Sequence, residues 1–235
     1  MSRGPSLVIR VLDARITRLK GSDYHLDPAV PAGALAAVVG RRVLMRVRGR
    51  VLFAGRAHPP FVGPGARFRA RRSLHFGRGV TFGDACLVDA LSRDGVRLGD
   101  NVSVGTRTRI EATGGLRHIG VGLTVGDDVG LGTDCFYGCA GGIDIGTDTI
   151  VGNWVGMHSE NHRIDRRDLP IREQGVTHAG IVVGRNCWIG AKATLLDGVR
   201  LGDGSVVAAG AVLVAGEYPG DTVYGGVPAR KLADR

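Results

Sequence analysis

VGRNCW, IGAKAT, LLDGVR, LGDGSV, VAAGAV and the opening LVAG of a sixth unit run without a break from Val183 to Gly216. Val183, Ile189, Leu195, Leu201, Val207 and Leu213 therefore recur every six residues. A helix needs apolar recurrence at three and four residues, and a half-buried strand needs alternation. A strict period of six fits neither. It is the period of a β-solenoid in which each repeat forms one flat side of a stacked coil. Within the repeat, position two is glycine at Gly184, Gly190 and Gly202, and position four is Asn186, Lys192, Gly198, Gly204, Gly210 and Gly216. A tight corner every six residues needs positive φ, which Gly and Asn supply most cheaply. Position five holds Cys187, Ala193, Val199, Ser205 and Ala211, small enough to share the interior with position one.

The same phases appear upstream in threes: Phe76/Phe82/Val88, Leu98/Val104/Ile110, Val125/Leu131/Tyr137 and Ile145/Val151/Met157. Three sides make an 18-residue triangular coil, whereas the steps between group leaders are 22, 27, 20 and 38 residues. The excesses of 4, 9, 2 and 20 all fall after the third side, so every loop leaves one edge of the prism. About six coils at 4.8 Å would stand roughly 30 Å tall. The expected organisation is an N-terminal extension over 1–73, a solenoid over 74–216 with its largest loop at 158–181, and a C-terminal tail over 217–235.

Composition agrees with an all-β chain of one principal domain: 39 glycines, 5% aromatics and no apolar run of membrane-spanning length. Met1 to Gly21 alternates charged with apolar residues, unlike a signal peptide. A cytoplasmic location is the expectation. Cys86, Cys135 and Cys187 fall on position five and read as buried small residues, and Cys139 reads as a turn thiol. No Cys-x-x-Cys pair points to a metal, and none is expected.

Charge is unevenly placed. Through Arg72 there are 15 Lys plus Arg against 3 Asp plus Glu, and beyond it 16 against 19. The values of +12 and −3 sum to the net +9. Leu35, Ala36, Val38 and Val39 predict a short helix after Pro31 that runs into Arg41, Arg42, Arg46, Arg48 and Arg50. One reading is an amphipathic cap over the open first coil. The other is peripheral contact with anionic lipid at the inner face of a membrane. Nucleic acid is not expected, because no binding motif or aromatic platform accompanies the charge.

The longest interruption begins His158-Ser159-Glu160-Asn161-His162-Arg163-Ile164-Asp165. Asn161 falls on position five, where a polar residue breaks the core rule, and such breaks mark function. In an extended segment His158, Glu160 and His162 point to one side, where a carboxylate can orient an imidazole. A histidine that titrates near neutrality suits general-base work.

At these residues the sequence resembles the hexapeptide-repeat acyltransferases, above all sugar and polysaccharide O-acetyltransferases and streptogramin-type xenobiotic acetyltransferases. The resemblance covers roughly residues 76–232. It rests on Glu160-Asn161-His162-Arg163-Ile164-Asp165, on Cys187-Trp188-Ile189-Gly190-Ala191 and on Gly225-Gly226-Val227-Pro228-Ala229-Arg230. It implies a left-handed parallel β-helix, a homotrimer with sites between neighbouring prisms, and acetyl-CoA as donor to a small-molecule or glycan acceptor. By resemblance His162 is the general base, supported by Glu160, and transfer is direct. Asn161, Asp134, Glu173 and His158 are acceptor-side candidates. Trp188, Gly190, Ala191, Ala209, Gly226, Arg230 and Lys231 are CoA-side candidates, with oxyanion donors near Gly190 and Ala191. One departure is Ala215-Gly216-Glu217, where relatives often carry Thr-Lys before the acidic residue.

An antibiotic-modifying O-acetyltransferase and an amino-sugar N-acetyltransferase remain open as alternatives, as does a noncatalytic scaffold solenoid. A zinc carbonic anhydrase on the same solenoid fits poorly. It needs three converging imidazoles, whereas His158 and His162 would lie roughly 13 Å apart in an extended segment.

Overall fold

The computed structural model describes residues 27, 29–116 and 118–235. Its core is a left-handed parallel β-helix with three flat sides. Side one has seven strands from Leu74–Phe76 to Gly216–Tyr218, and side two nine from Phe61–Val62 to Ala229–Asp234. Side three has seven, from Arg67–Arg69 to Val212–Leu213. Strands pair in parallel with the same side of the next coil. Phe76 meets Leu98, Leu98 meets Val125, Val125 meets Ile145 and Ile145 meets Val183. These are the steps expected from the spacing, and the insertions do emerge together after side three.

The repeat phases have direct physical counterparts. Position-one residues such as Phe82, Ile110, Leu131, Met157, Ile189 and Leu195 are buried in one continuous interior. Position four turns the corner with positive φ from Asn186 (53°) through Gly210 (71°), and upstream even Ala85, Arg107 and Trp154 adopt it. Corner geometry therefore overrides residue preference once neighbouring coils fix both sides.

The solenoid is longer than expected at both ends. Phe61–Val62 pairs with Thr81–Phe82, and Arg67–Arg69 with Leu87–Asp89, so coils begin before residue 74. Beyond 216, Gly216–Tyr218 and Thr222–Gly226 continue sides one and two, and Ala229–Asp234 turns back antiparallel along the edge. Cys139 also differs from expectation. It is fully buried, its thiol donates to the Tyr137 carbonyl, and desolvation drives its pKa upward. Burial likewise pushes the Cys86 thiol up to about 12.

The predicted short helix is a 21-residue element, α1 (Ala32–Leu52). Met45 and Gly49 face the first coil, where a Cβ at residue 49 would stand 1.8 Å from the Pro60 carbonyl oxygen. Phe53 then plugs the open end, edge-on to Phe68 at 5.0 Å and to Phe76 at 5.2 Å. Burying such a ring contributes roughly 1.5–3 kcal/mol. The capping role is thus present. Part of the predicted N-terminal extension, residues 1–26, lies outside the described residues.

Candidate active site

The insertion edge has its own core rule. Two residues past the side-three core position of the five inner coils the chain turns inward, at Ala90, Ala112, Cys139, Ser159 and Asp197, all buried, whereas Ala70 and Ala215 in the end coils are exposed. The two polar members hold the long loop. Ser159 N–H and Oγ both donate to the Gly138 carbonyl (3.0 and 2.9 Å), and Gly141 N–H donates to Ser159 Oγ at 3.0 Å. Ser159 therefore fixes the departure point. At the return, the Asp197 carboxylate accepts from Ala179 N–H (2.9 Å) and Gly180 N–H (2.7 Å). Arg200 donates to the carbonyls of the same two residues, at 2.7 and 3.0 Å. Asn161 was expected in the interior, but it is exposed. The chain has already left the coil at Ser159, which takes the buried place instead.

Between these roots Asn161–His162 pairs antiparallel with Val176–Thr177, and Arg163 N–H donates to Gly175 O at 3.0 Å. This ribbon carries His162 back over side three. There a cavity of about 220 Å³ is lined by Glu111, Gly114, Phe136, Gly138, Ala140, His158, Ser159, Glu160 and His162. His158, Glu160 and His162 are thus brought together. Two glycines make the room. Gly138 lies between Glu111 and His158 in the strand register, and a Cβ there would meet the Phe136 ring at 3.0 Å. A Cβ at Gly156 would stand 3.0 Å from His158 Nε2.

The His158 ring leans on Phe136, with centroids 5.3 Å apart. Partial loss of solvent lowers its pKa below the ordinary histidine value, because the charged form is disfavoured. Glu160 does not turn to His162. Its Oε2 lies 2.7 Å from Nε2 of His178, tying the outgoing limb of the loop to the returning one. The sequence reading missed His178, Glu111, Phe136 and the Asp197–Arg200 clamp. Glu111 shares the phase of His158, one residue past the side-three core position, and that phase could have found it.

Other expected residues lie elsewhere. Asp134 stands at a corner with φ 56°, engaged by Arg107 at 2.6 Å, and does not line the cavity. Glu173 pairs with Arg172 at 3.1 Å and lines a separate loop cavity of about 280 Å³ with Arg163 and Arg166. On side two Trp188 is 57% exposed, as is Trp154 at 56%, with Lys192 Nζ 5.8 Å above the Trp154 ring. The backbone donors expected at Gly190 and Ala191 divide. Gly190 N–H is spent on Val207 O at 2.7 Å, whereas Ala191 and Ala209 N–H donate to nothing among the described residues. Gly226, Arg230 and Lys231 lie on the terminal hairpin, where Lys231 is held by Asp234 at 2.5 Å and its pKa is raised.

Comparison with known proteins agrees with this architecture. Residues 180–215 match the family described as bacterial transferase hexapeptide (six repeats). A Mycobacterium tuberculosis protein named a probable acetyltransferase is 32% identical over 140 residues, covering 60% of this chain and 44% of that one. An Escherichia coli protein named provisionally as a lipopolysaccharide biosynthesis O-acetyl transferase is 28% identical over 165 residues, covering 67% of this chain and 70% of its own. The chain thus spans less than half the length of the mycobacterial relative. Among solved structures, a mutant of AntD, an N-acyltransferase from Bacillus cereus, in complex with dTDP and coenzyme A superposes with a TM-score of 0.56. It is 18% identical and covers 68% of this chain and 84% of that chain, a likeness of fold. Residues 180–215 thus carry the six-residue repeat of that family, and the relatives named alongside it are similar over part of their length.

Proposed function

We propose that the chain transfers an acetyl group from the thioester of CoA to a hydroxyl of a sugar-containing acceptor. The observation that carries this reading is the convergence of His158, Glu160 and His162 on one cavity at the root of an insertion anchored at both ends. His162 takes the proton of the acceptor hydroxyl while its oxygen bonds to the thioester carbon. The carbon–sulfur bond then breaks, and the proton passes to the departing thiolate. His158, held below its usual pKa, stays uncharged near neutrality. Glu160 and His178 brace the ribbon that carries His162.

CoA fits the open side of the prism. The free N–H groups of Ala191 and Ala209 can meet amide carbonyls of the pantetheine arm, and Trp188 offers a flat apolar surface beside it. Arg230 is the better cation for the phosphates, since Lys231 is already engaged by Asp234. Exposed Ile150, Trp154 and Trp188 on side two and its corner also suit packing against a second prism, in keeping with a homotrimer.

The decisive measurement is CoA release with acetyl-CoA and a panel of glycan precursors, amino sugars and streptogramin-like compounds. His162→Ala should lower turnover by at least about 100-fold with the assembly unchanged. Full activity in that variant removes His162 from the mechanism. Failure of the wild-type chain to bind CoA favours a scaffold.

A further inference from the structure

α1 has two working faces. Toward the solenoid, Met45 and Gly49 are buried, Arg42 donates to Thr81 Oγ1 at 2.9 Å, Arg41 pairs with Asp84 at 2.7 Å, and Arg46 donates to the Pro59 carbonyl. On the opposite side Val43, Leu44, Val47 and Val51 are each more than half exposed. At 3.6 residues per turn they form one stripe, continued by Gly40 and Ala36. Arg48 and Arg50 fall on either side of that stripe, and neither makes a side-chain hydrogen bond or ion pair among the described residues. The helix contains no acidic residue.

Capping the first coil explains the inner face and leaves the outer one without a use. An apolar stripe between unpaired arginines is the pattern of a helix lying in a bilayer interface, where valines enter the acyl boundary and guanidinium groups meet lipid phosphates. A second copy of α1 is a poorer occupant, because its arginines would face like charges with no carboxylate to offset them. The helix is not apolar enough to cross a membrane. We propose that α1 docks the protein on an anionic lipid surface through the Val43–Val47–Val51 stripe, with Arg48 and Arg50 on the headgroups. The basic excess through Arg72 strengthens that attraction.

The test uses the full chain carrying Val47→Cys labelled with an environment-sensitive fluorophore. All four native cysteines are buried, so labelling is confined to the new one. Vesicles of phosphatidylcholine with about 30 mol% phosphatidylglycerol should shift the emission to the blue, and pure phosphatidylcholine vesicles should not. Val43→Asp/Val51→Asp and Arg48→Glu/Arg50→Glu should each weaken vesicle partitioning at least about 10-fold, with the melting temperature unchanged. Three results would overturn the proposal: emission already blue without vesicles, partitioning indifferent to anionic lipid, or binding untouched by both pairs of substitutions. A fall in oligomer mass in those variants, with vesicle binding retained, would assign the stripe to a second copy instead. Should a double variant fail to fold, the labelled wild-type background still decides.

Discussion

The coils from Val183 to Gly216 and the segment from Met157 to Gly180 use the same corner in opposite ways. In the first, the chain turns from Leu195 through Asp197 straight into Val199 and side one. In the second, the equivalent turn at Ser159 releases a loop of about twenty residues before side one resumes at Ile181. Where the coil is uninterrupted its interior is a rack of buried aliphatics. Where it opens, the interior residue becomes polar, and the freed chain is tied back to its neighbours. Asp197 belongs to the regular stretch, yet its carboxylate holds the root of the irregular one. The comparison teaches that the loop is placed by the coil after it as much as by the coil before it.

That comparison can be broken most sharply at the loop proposed to carry the general base. The loss expected in His162→Ala should have no counterpart in Lys192→Ala, a corner residue of the uninterrupted stretch. Next in size is Gly138→Leu. Its side chain would fill the space between Glu111 and His158, so acceptor-dependent turnover should fall at least about 10-fold, on the scale of a lost substrate-positioning contact. CoA binding, followed by calorimetry, should be retained. Equal loss of both would place the acceptor elsewhere.

Asp197→Ala comes third. It strands the N–H groups of Ala179 and Gly180, the second of them buried, while the Arg200 bonds to the carbonyls of the same residues remain. Unfolding stability should fall by about 1–3 kcal/mol, and hydrogen exchange should rise at Ala179 and Gly180 before it rises in the coils. Uniform exchange across the solenoid would deny the clamp its local role.

The pH dependence is smaller and has a definite sign. His158 has a folded pKa below its ordinary 6.5, so the unfolded chain binds its proton more readily. Its contribution is complete above about pH 6.5 and is lost as pH falls through the depressed folded value. The drop in melting temperature between neutral and mildly acidic pH should therefore be shallower in His158→Asn. The smallest effect belongs to Tyr137→Phe. The buried Tyr137 hydroxyl has no hydrogen-bond partner among the described residues, so its removal should be neutral or slightly stabilising in a denaturant titration.

Much of this is legible in the sequence. The six-residue period set strand spacing, corner positions and the edge from which loops leave, because each is a local demand on one residue in six. It also singled out the segment holding His158, Glu160 and His162. The first coil escaped notice because Val62 and Phe68 give only two beats, and the coil is completed by Phe53 arriving from α1. Asn161 lies outside the interior for a related reason. Counting onward from Met157 assumes the chain stays in the coil, whereas hydrogen bonding at Gly138 and Gly141 ends it at Ser159.

The sequence alone determined the prism, its register and the place where its rhythm fails, since a repeat carries its own neighbours with it. Only the tertiary structure decided that Glu160 turns to His178, that Asp134 and Glu173 stand apart from the cavity, and that α1 leaves an apolar face uncovered. Those outcomes depend on which residues from different coils meet across an insertion, and no periodicity constrains the path of a loop once it has left the coil.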